Sequence, residues 1–90
     1  MSESLQTRRK RLRFRSWHRG TREADMMLGP FADRYLEQFS AAELDLYEAL
    51  IEHSDPDLYG WLSGREPVPE HLQNPVMELL IQNSSNQTKY

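Results

Sequence analysis

The densest run of chemistry-bearing side chains in this 90-residue chain is Trp17-His18-Arg19-Gly20-Thr21-Arg22-Glu23-Ala24-Asp25. One imidazole, two guanidinium groups and two carboxylates crowd around a single glycine. Such a set suits recognition, because guanidinium groups pair with carboxylates and a carboxylate pairs with basic groups or backbone amides. The local reading is a helix end, a tight turn and a new helix start. Gly20 adopts positive φ without steric cost and closes the preceding helix, Thr21 caps the next one, and Glu23 and Asp25 favour its positive end. Arg19 and Glu23 then project from either side of one sharp corner. Two readings of that corner stand: a docking point for another macromolecule, or an ordinary turn.

Other chemistry is scarce. The three histidines, His18, His53 and His71, lie in separate segments without the i, i+4 spacing of a helical metal pair, and there is no cysteine to ligate a metal or form a disulfide. Asp55 and Asp57 resemble an acid/base pair, but the run Ser54-Asp55-Pro56-Asp57 reads as a helix start, with Asp55 as cap and Pro56 in the first turn. No glycine-rich phosphate loop or dinucleotide fingerprint is present. The residues therefore describe an adaptor and not an enzyme, with no metal and no stably bound cofactor.

The elements that must position the corner are helical throughout. Residues 1–7 are polar and expected to be flexible. Arg8 to His18 reads as the first helix, with Leu5, Leu12, Phe14 and Trp17 on a loose apolar stripe. Thr21 to Phe39 reads as a second helix that bends or restarts at Gly29-Pro30, with Met26 and Met27 filling the core. Ser40-Ala-Ala-Glu43 spells a capping box, and Leu44, Tyr47, Leu50 and Ile51 mark one face of a third helix running to about His53. A short fourth helix, Asp57 to Ser63, carries Leu58, Tyr59, Trp61 and Leu62 for burial and ends at Gly64. Asn74-Pro75 starts a fifth. Residues 83–90 read as a flexible tail. The expectation is an all-α, small five-helix bundle forming a single domain over residues 8–82.

Charge is divided along the chain. Residues 1–22 hold eight Arg or Lys against one acidic residue, +7, and residues 23–90 hold three against thirteen, −10. The basic segment either steers the protein onto a partner or lies across acidic groups of its own chain. It reads first as a solvated helix face, next as a protein-docking face and last as a nucleic-acid or targeting segment; the alternative function is a nucleic-acid-binding or regulatory/inhibitor module acting through this basic helix. No apolar run approaches the ~20 residues of a membrane span.

At this point the residues resemble a known family. Arg19-Gly20-x-x-Glu23 between a basic and an acidic helix is similar to the signature of the succinate dehydrogenase assembly factors. Leu44-Asp-Leu-Tyr47-Glu-Ala-Leu-Ile51, Asp55-Pro-Asp-Leu-Tyr-Gly-Trp61-Leu62, Pro67-x-Pro69 and Val76-Met-x-Leu-Leu80 follow in the family's order. The resemblance covers residues 11–82.

It implies a small helical chaperone that binds the flavoprotein subunit of succinate dehydrogenase, or of fumarate reductase, and promotes covalent attachment of FAD to a histidine of that partner. The FAD belongs to the partner. Arg19, Gly20 and Glu23 would form the face that meets the flavoprotein, and His18, Arg22 and Asp25 extend it around the same corner. A monomer that binds no nucleic acid or membrane, placed in the bacterial cytoplasm or alternatively the mitochondrial matrix, completes the expectation. Thr21 departs from the pattern, which often has methionine after the glycine.

Overall fold

Ser4 starts the first helix. Its hydroxyl accepts the Thr7 N–H at 3.1 Å, so α1 runs Leu5–Trp17 in the computed structural model, which describes residues 3–87. The first helical turn thus covers residues expected to lie in a flexible N-terminus, because a serine cap satisfies orphan donors that the polar composition had left out of account. After α1 come α2 (Arg22–Tyr35), a 3₁₀ turn (Leu36–Gln38), α3 (Ala41–Ile51), α4 (Asp55–Leu62), a second 3₁₀ turn (Glu70–Leu72) and α5 (Pro75–Gln87). The described residues contain five α-helices and no strand, the all-α class expected. Two compact units divide between Asp45 and Leu46, within α3.

In the N-terminal unit α1 packs on α2, and Leu12, Leu28 and Phe31 are fully buried. Of the expected α1 stripe only Leu12 is buried outright; Leu5 and Phe14 are 42% and 63% exposed, and Ser16 takes an interior position by donating its hydroxyl to the Leu12 carbonyl at 2.8 Å.

Gly29-Pro30 does not restart the second helix. α2 continues through Pro30, and Gly29 has a packing role: a Cβ there would stand 2.3 to 2.6 Å from three ring carbons of Trp17. The indole lies flat against bare backbone and donates its N–H to Asp33 at 3.2 Å. Pro30 removes one N–H, and the carbonyl it leaves without its helical donor is that of Met26, an exposed residue. Beyond Pro30, Phe31, Tyr35 and Phe39 cluster with ring centroids 4.8 to 6.4 Å apart, Tyr35 stacked on Phe39 and Phe31 edge-on to Phe39.

The capping box at α3 forms in both directions: Glu43 accepts the Ser40 N–H at 2.8 Å and Ser40 accepts the Glu43 N–H at 3.2 Å. In the C-terminal unit Ser54, and not Asp55, caps α4 by accepting the Asp57 N–H, which moves the helix start back to Asp55. Leu58 and Leu62 are buried, but Tyr59 is half exposed and carries Arg65 over its ring at 5.4 Å. An eight-residue helix has room to bury one stripe only. Gly64 closes the turn after it at φ 81°. Asn74 caps α5 by accepting the Met77 N–H at 2.9 Å. That helix extends past residue 82 to Gln87, with Asn83 buried, where the sequence reads as tail; residues 88–90 of that expected tail lie outside the described residues.

Candidate partner-binding site

The corner is built where α1 stops, and His18 is what stops it. His18 leaves the helical conformation (φ −128°, ψ 54°), and its main-chain N–H reaches back only three residues to Arg15. Its Nδ1 stands 2.8 Å from the Phe14 carbonyl, which can only accept, so Nδ1 is the donor of this bond. The ring stacks on Phe14 at 3.9 Å between centroids and 16° between planes. Gly20 comes two residues after the cap residue. It makes the turn, at φ 118°, instead of terminating the helix.

That angle lies well beyond the left-handed helical range of about +50 to +70° in which asparagine is tolerated. Asparagine at position 20 is therefore no better suited than alanine, although the left-handed reading of the turn favours it. Nothing stands within 4 Å of a Cβ at this position, so the requirement for glycine is one of backbone angle and not of space.

Two further bonds fix the turn. Thr21 caps α2 by accepting the Ala24 N–H at 3.2 Å, as its residue type predicts. Asp25, one turn into α2, accepts the main-chain N–H of Arg19 at 2.7 Å. His18, Thr21 and Asp25 are thus tied into the corner itself.

Arg22 and Glu23 are different. Both are exposed, and neither makes a side-chain hydrogen bond or ion pair with any described residue. An exposed guanidinium and an exposed carboxylate thus stand adjacent on a capped helix start, with their bonding capacity open to solvent.

An open depression of about 510 Å³ lies at the corner. It brings together four of the six sequence-derived residues, His18, Gly20, Arg22 and Asp25, with Trp17, Thr21 and Met26; Arg19 and Glu23 do not line it. Met26 is 49% exposed, so it does not fill the core as its spacing suggested. It stands one turn after Arg22 on the same side of α2, and that i, i+4 relation to a charged residue was the available signal. Phe14 beneath the His18 ring was also missed as a surface residue, because an aromatic in a stripe reads as core. A second depression, of about 570 Å³, lies in the C-terminal unit between Val68, Met77 and Ile81, with Glu78 as its one charged residue.

The basic run of α1 lies against its own unit. Arg8 pairs with Asp45 at 2.5 Å, Arg11 with Glu3 at 2.6 Å, and Arg13 approaches Asp33 at 3.9 Å. Arg9 donates to two main-chain carbonyls at the end of α2 and its 3₁₀ extension, Leu36 at 2.9 Å and Phe39 at 2.8 Å. The Leu36 carbonyl also accepts the Phe39 N–H at 3.3 Å, whereas the Phe39 carbonyl lies past the helix end, and one guanidinium serves both. Among the described residues no group of three or more His, Asp or Glu could hold a metal ion, and no helix is long and apolar enough to cross a membrane.

Fold and corner together define a class: small all-α proteins that offer a pinned, charged turn between their first two helices. Within that class the chain belongs to the family described as flavinator of succinate dehydrogenase, whose match spans residues 10–84. It is 39% identical over 82 residues to the FAD assembly factor SdhE of Acetobacter pasteurianus, covering 91% of this chain and 75% of that protein. Mitochondrial relatives match as well. Succinate dehydrogenase assembly factor 2-A of Drosophila persimilis is 38% identical over 87 residues, covering 94% of this chain and 54% of that protein. Succinate dehydrogenase assembly factor 2 of Debaryomyces hansenii is 37% identical over 91 residues, covering 97% and 64%. The chain thus spans about half to two thirds of the length of these mitochondrial proteins.

Proposed function

We propose that this protein binds the flavoprotein subunit of succinate dehydrogenase through the Trp17–Asp25 corner and promotes covalent attachment of FAD to that subunit. The observation that carries the reading is the pair Arg22 and Glu23. They are exposed and unengaged beside a glycine that no other residue type replaces without strain, in a chain of the flavinator family. The protein acts by contact and performs no covalent step. Bond formation between the flavin and the partner's histidine is chemistry of the cofactor. The corner holds the flavoprotein so that the two reacting groups meet in near-attack geometry. Arg19, Gly20 and Glu23 form the centre of the docking face and Arg22 extends it, while His18 and Asp25 belong to the same corner and shape it. Fumarate reductase is the second candidate client.

A nucleic-acid role for α1 finds no support in the way its arginines are placed. Arg8, Arg9 and Arg11 have acceptors within their own unit, and phosphate binding would have to compete for them.

The test is in-gel flavin fluorescence of the denatured flavoprotein, which retains only covalently attached FAD. The flavoprotein is produced with this protein, without it, and with Glu23→Ala whose helicity has been verified by circular dichroism. The expected result is a band that needs the protein and fades with folded Glu23→Ala. A band indifferent to the protein with both candidate clients overturns the reading.

A further inference from the structure

The candidate docking residues do not all stand in the same relation to the corner, and Asp25 is the instructive one. It lines the depression beside Arg22, which is where a partner-contacting carboxylate belongs. Its Oδ1 nevertheless accepts the main-chain N–H of Arg19 at 2.7 Å, in a part-buried bond that spans six residues and closes a ring over Gly20 and Thr21. Arg19 lies past the end of α1, so its N–H has no acceptor in that helix. Asp25 is itself held by the first main-chain bond of α2, from its N–H to the Thr21 carbonyl at 3.0 Å.

We infer that Asp25 is a positioning residue: its carboxylate fixes the Arg19–Gly20 backbone, and the flavoprotein reads the shape so fixed and not the Asp25 charge. This rests on the proposed docking of the corner.

Three features carry the inference. Gly20 at φ 118° is the most freely rotating residue of the corner, and glycine loses more conformational freedom on ordering than any other residue. Nothing packs within 4 Å of where its Cβ would be, so side-chain packing does not hold the turn at that point. The bond from Arg19 to Asp25 bridges that residue, and an ionised acceptor makes it one of the stronger hydrogen bonds available. The Thr21 cap orders the α2 side, and the His18 ring orders the α1 side. Asp25 joins the two. A loosened turn presents Arg19 and Glu23 in many relative placements, of which a partner selects few, so apparent affinity falls with the fraction that is competent.

Positioning and direct contact predict opposite results for asparagine at position 25. Asparagine keeps an acceptor oxygen for the Arg19 N–H and loses the charge; alanine loses both. The experiment uses the full chain and reads two quantities for wild type, Asp25→Asn and Asp25→Ala. One is hydrogen exchange of the Arg19 amide, resolved by ¹⁵N NMR without any partner. The other is covalent flavinylation of the flavoprotein by in-gel fluorescence.

Asp25→Ala is expected to retain helicity, to exchange the Arg19 amide about tenfold faster or more, and to weaken the flavin band. Asp25→Asn is expected to restore most of both. A folded Asp25→Asn that protects the Arg19 amide and still loses flavinylation overturns the inference, because the partner then reads the charge. An Arg19 amide that exchanges equally fast in wild type and Asp25→Ala also overturns it. Should Asp25→Ala fail to fold, Asp25→Asn decides alone: a protected amide with near-normal flavinylation supports positioning, and loss of either overturns it. If wild type itself leaves the band unchanged, the functional reading fails and this role with it, whereas the amide arm still reports separately whether the clamp exists.

Discussion

Two stretches of the N-terminal unit carry most of its positive charge, and they use it in opposite ways. Along α1, Arg8, Arg9, Arg11 and Arg13 reach acceptors of their own unit: three carboxylates and a pair of helix-end carbonyls. At the corner after α1, Arg22 and Glu23 reach nothing in the described residues, while uncharged or backbone-directed groups hold the turn. Local charge density is therefore a poor guide to function in this molecule. Four arginines of the basic run are engaged within their own unit, whereas the exposed side chains of Arg22 and Glu23 at the corner are not.

The sharpest test of the contrast is Glu23→Ala. An exposed, unengaged carboxylate can be removed with a stability change within about 0.5 kcal/mol, whereas loss of a central docking contact weakens binding by about 2 kcal/mol or more. Urea unfolding and titration with the purified flavoprotein measure the two separately, and equal losses in both would make Glu23 a structural residue like the arginines of α1.

Gly29→Ala comes next. The added methyl meets the Trp17 ring well inside contact distance, and overpacking of this kind costs ~1–3 kcal/mol. Because Trp17 also lines the depression, flavinylation should fall together with the urea midpoint.

At Gly20 the prediction is of a like cost by a different route. Alanine and asparagine should each destabilise by about 1–2 kcal/mol through backbone strain alone, since there is open space for either side chain. Paired thermal melts check this; asparagine as stable as glycine would place the turn in the left-handed helical region after all.

Arg9→Met keeps the aliphatic stem, takes the side-chain donor from the Phe39 carbonyl and leaves that of Leu36 with the Phe39 N–H alone, for an expected loss of about 1 kcal/mol. Flavinylation per folded molecule should not change, and a specific drop in it would move α1 into the docking face.

The smallest effect is expected for Arg8→Gln. Its partner Asp45 is 68% exposed, so the pair is worth under about 1 kcal/mol. A thermal melt in high salt should remove the difference from wild type.

Much of the fold was legible because its signals are local. Ser40 to Glu43, Thr21, and Asn74-Pro75 announce their helix starts by residue type, and each forms the bond its type implies. The misreadings share one cause: a residue that serves two purposes shows only one of them in a sequence. Gly29 reads as a helix breaker, since nothing in the linear pattern says that an indole twelve residues earlier will lie on it. Asp55 reads as a cap because aspartate caps helices, while Ser54 beside it does so in fact. Met26, Phe14 and Tyr59 read as core, since apolar spacing marks a stripe without saying how wide a stripe a short helix buries.

The corner divides in the same way. Its location, its glycine and its charges are plain from Trp17 to Asp25, and the motif Arg19-Gly20-x-x-Glu23 was enough to suggest the family. Residue types and spacing by themselves determined an all-α chain, the helix starts and a charged turn between the first two helices, because caps, turns and periodicity are properties of neighbours along the chain. Only the tertiary structure decided which charges are engaged. Whether Arg9 meets a carbonyl, whether Asp25 meets the Arg19 amide, and whether Glu23 meets nothing depend on distances between residues that the fold, and not the sequence order, brings together.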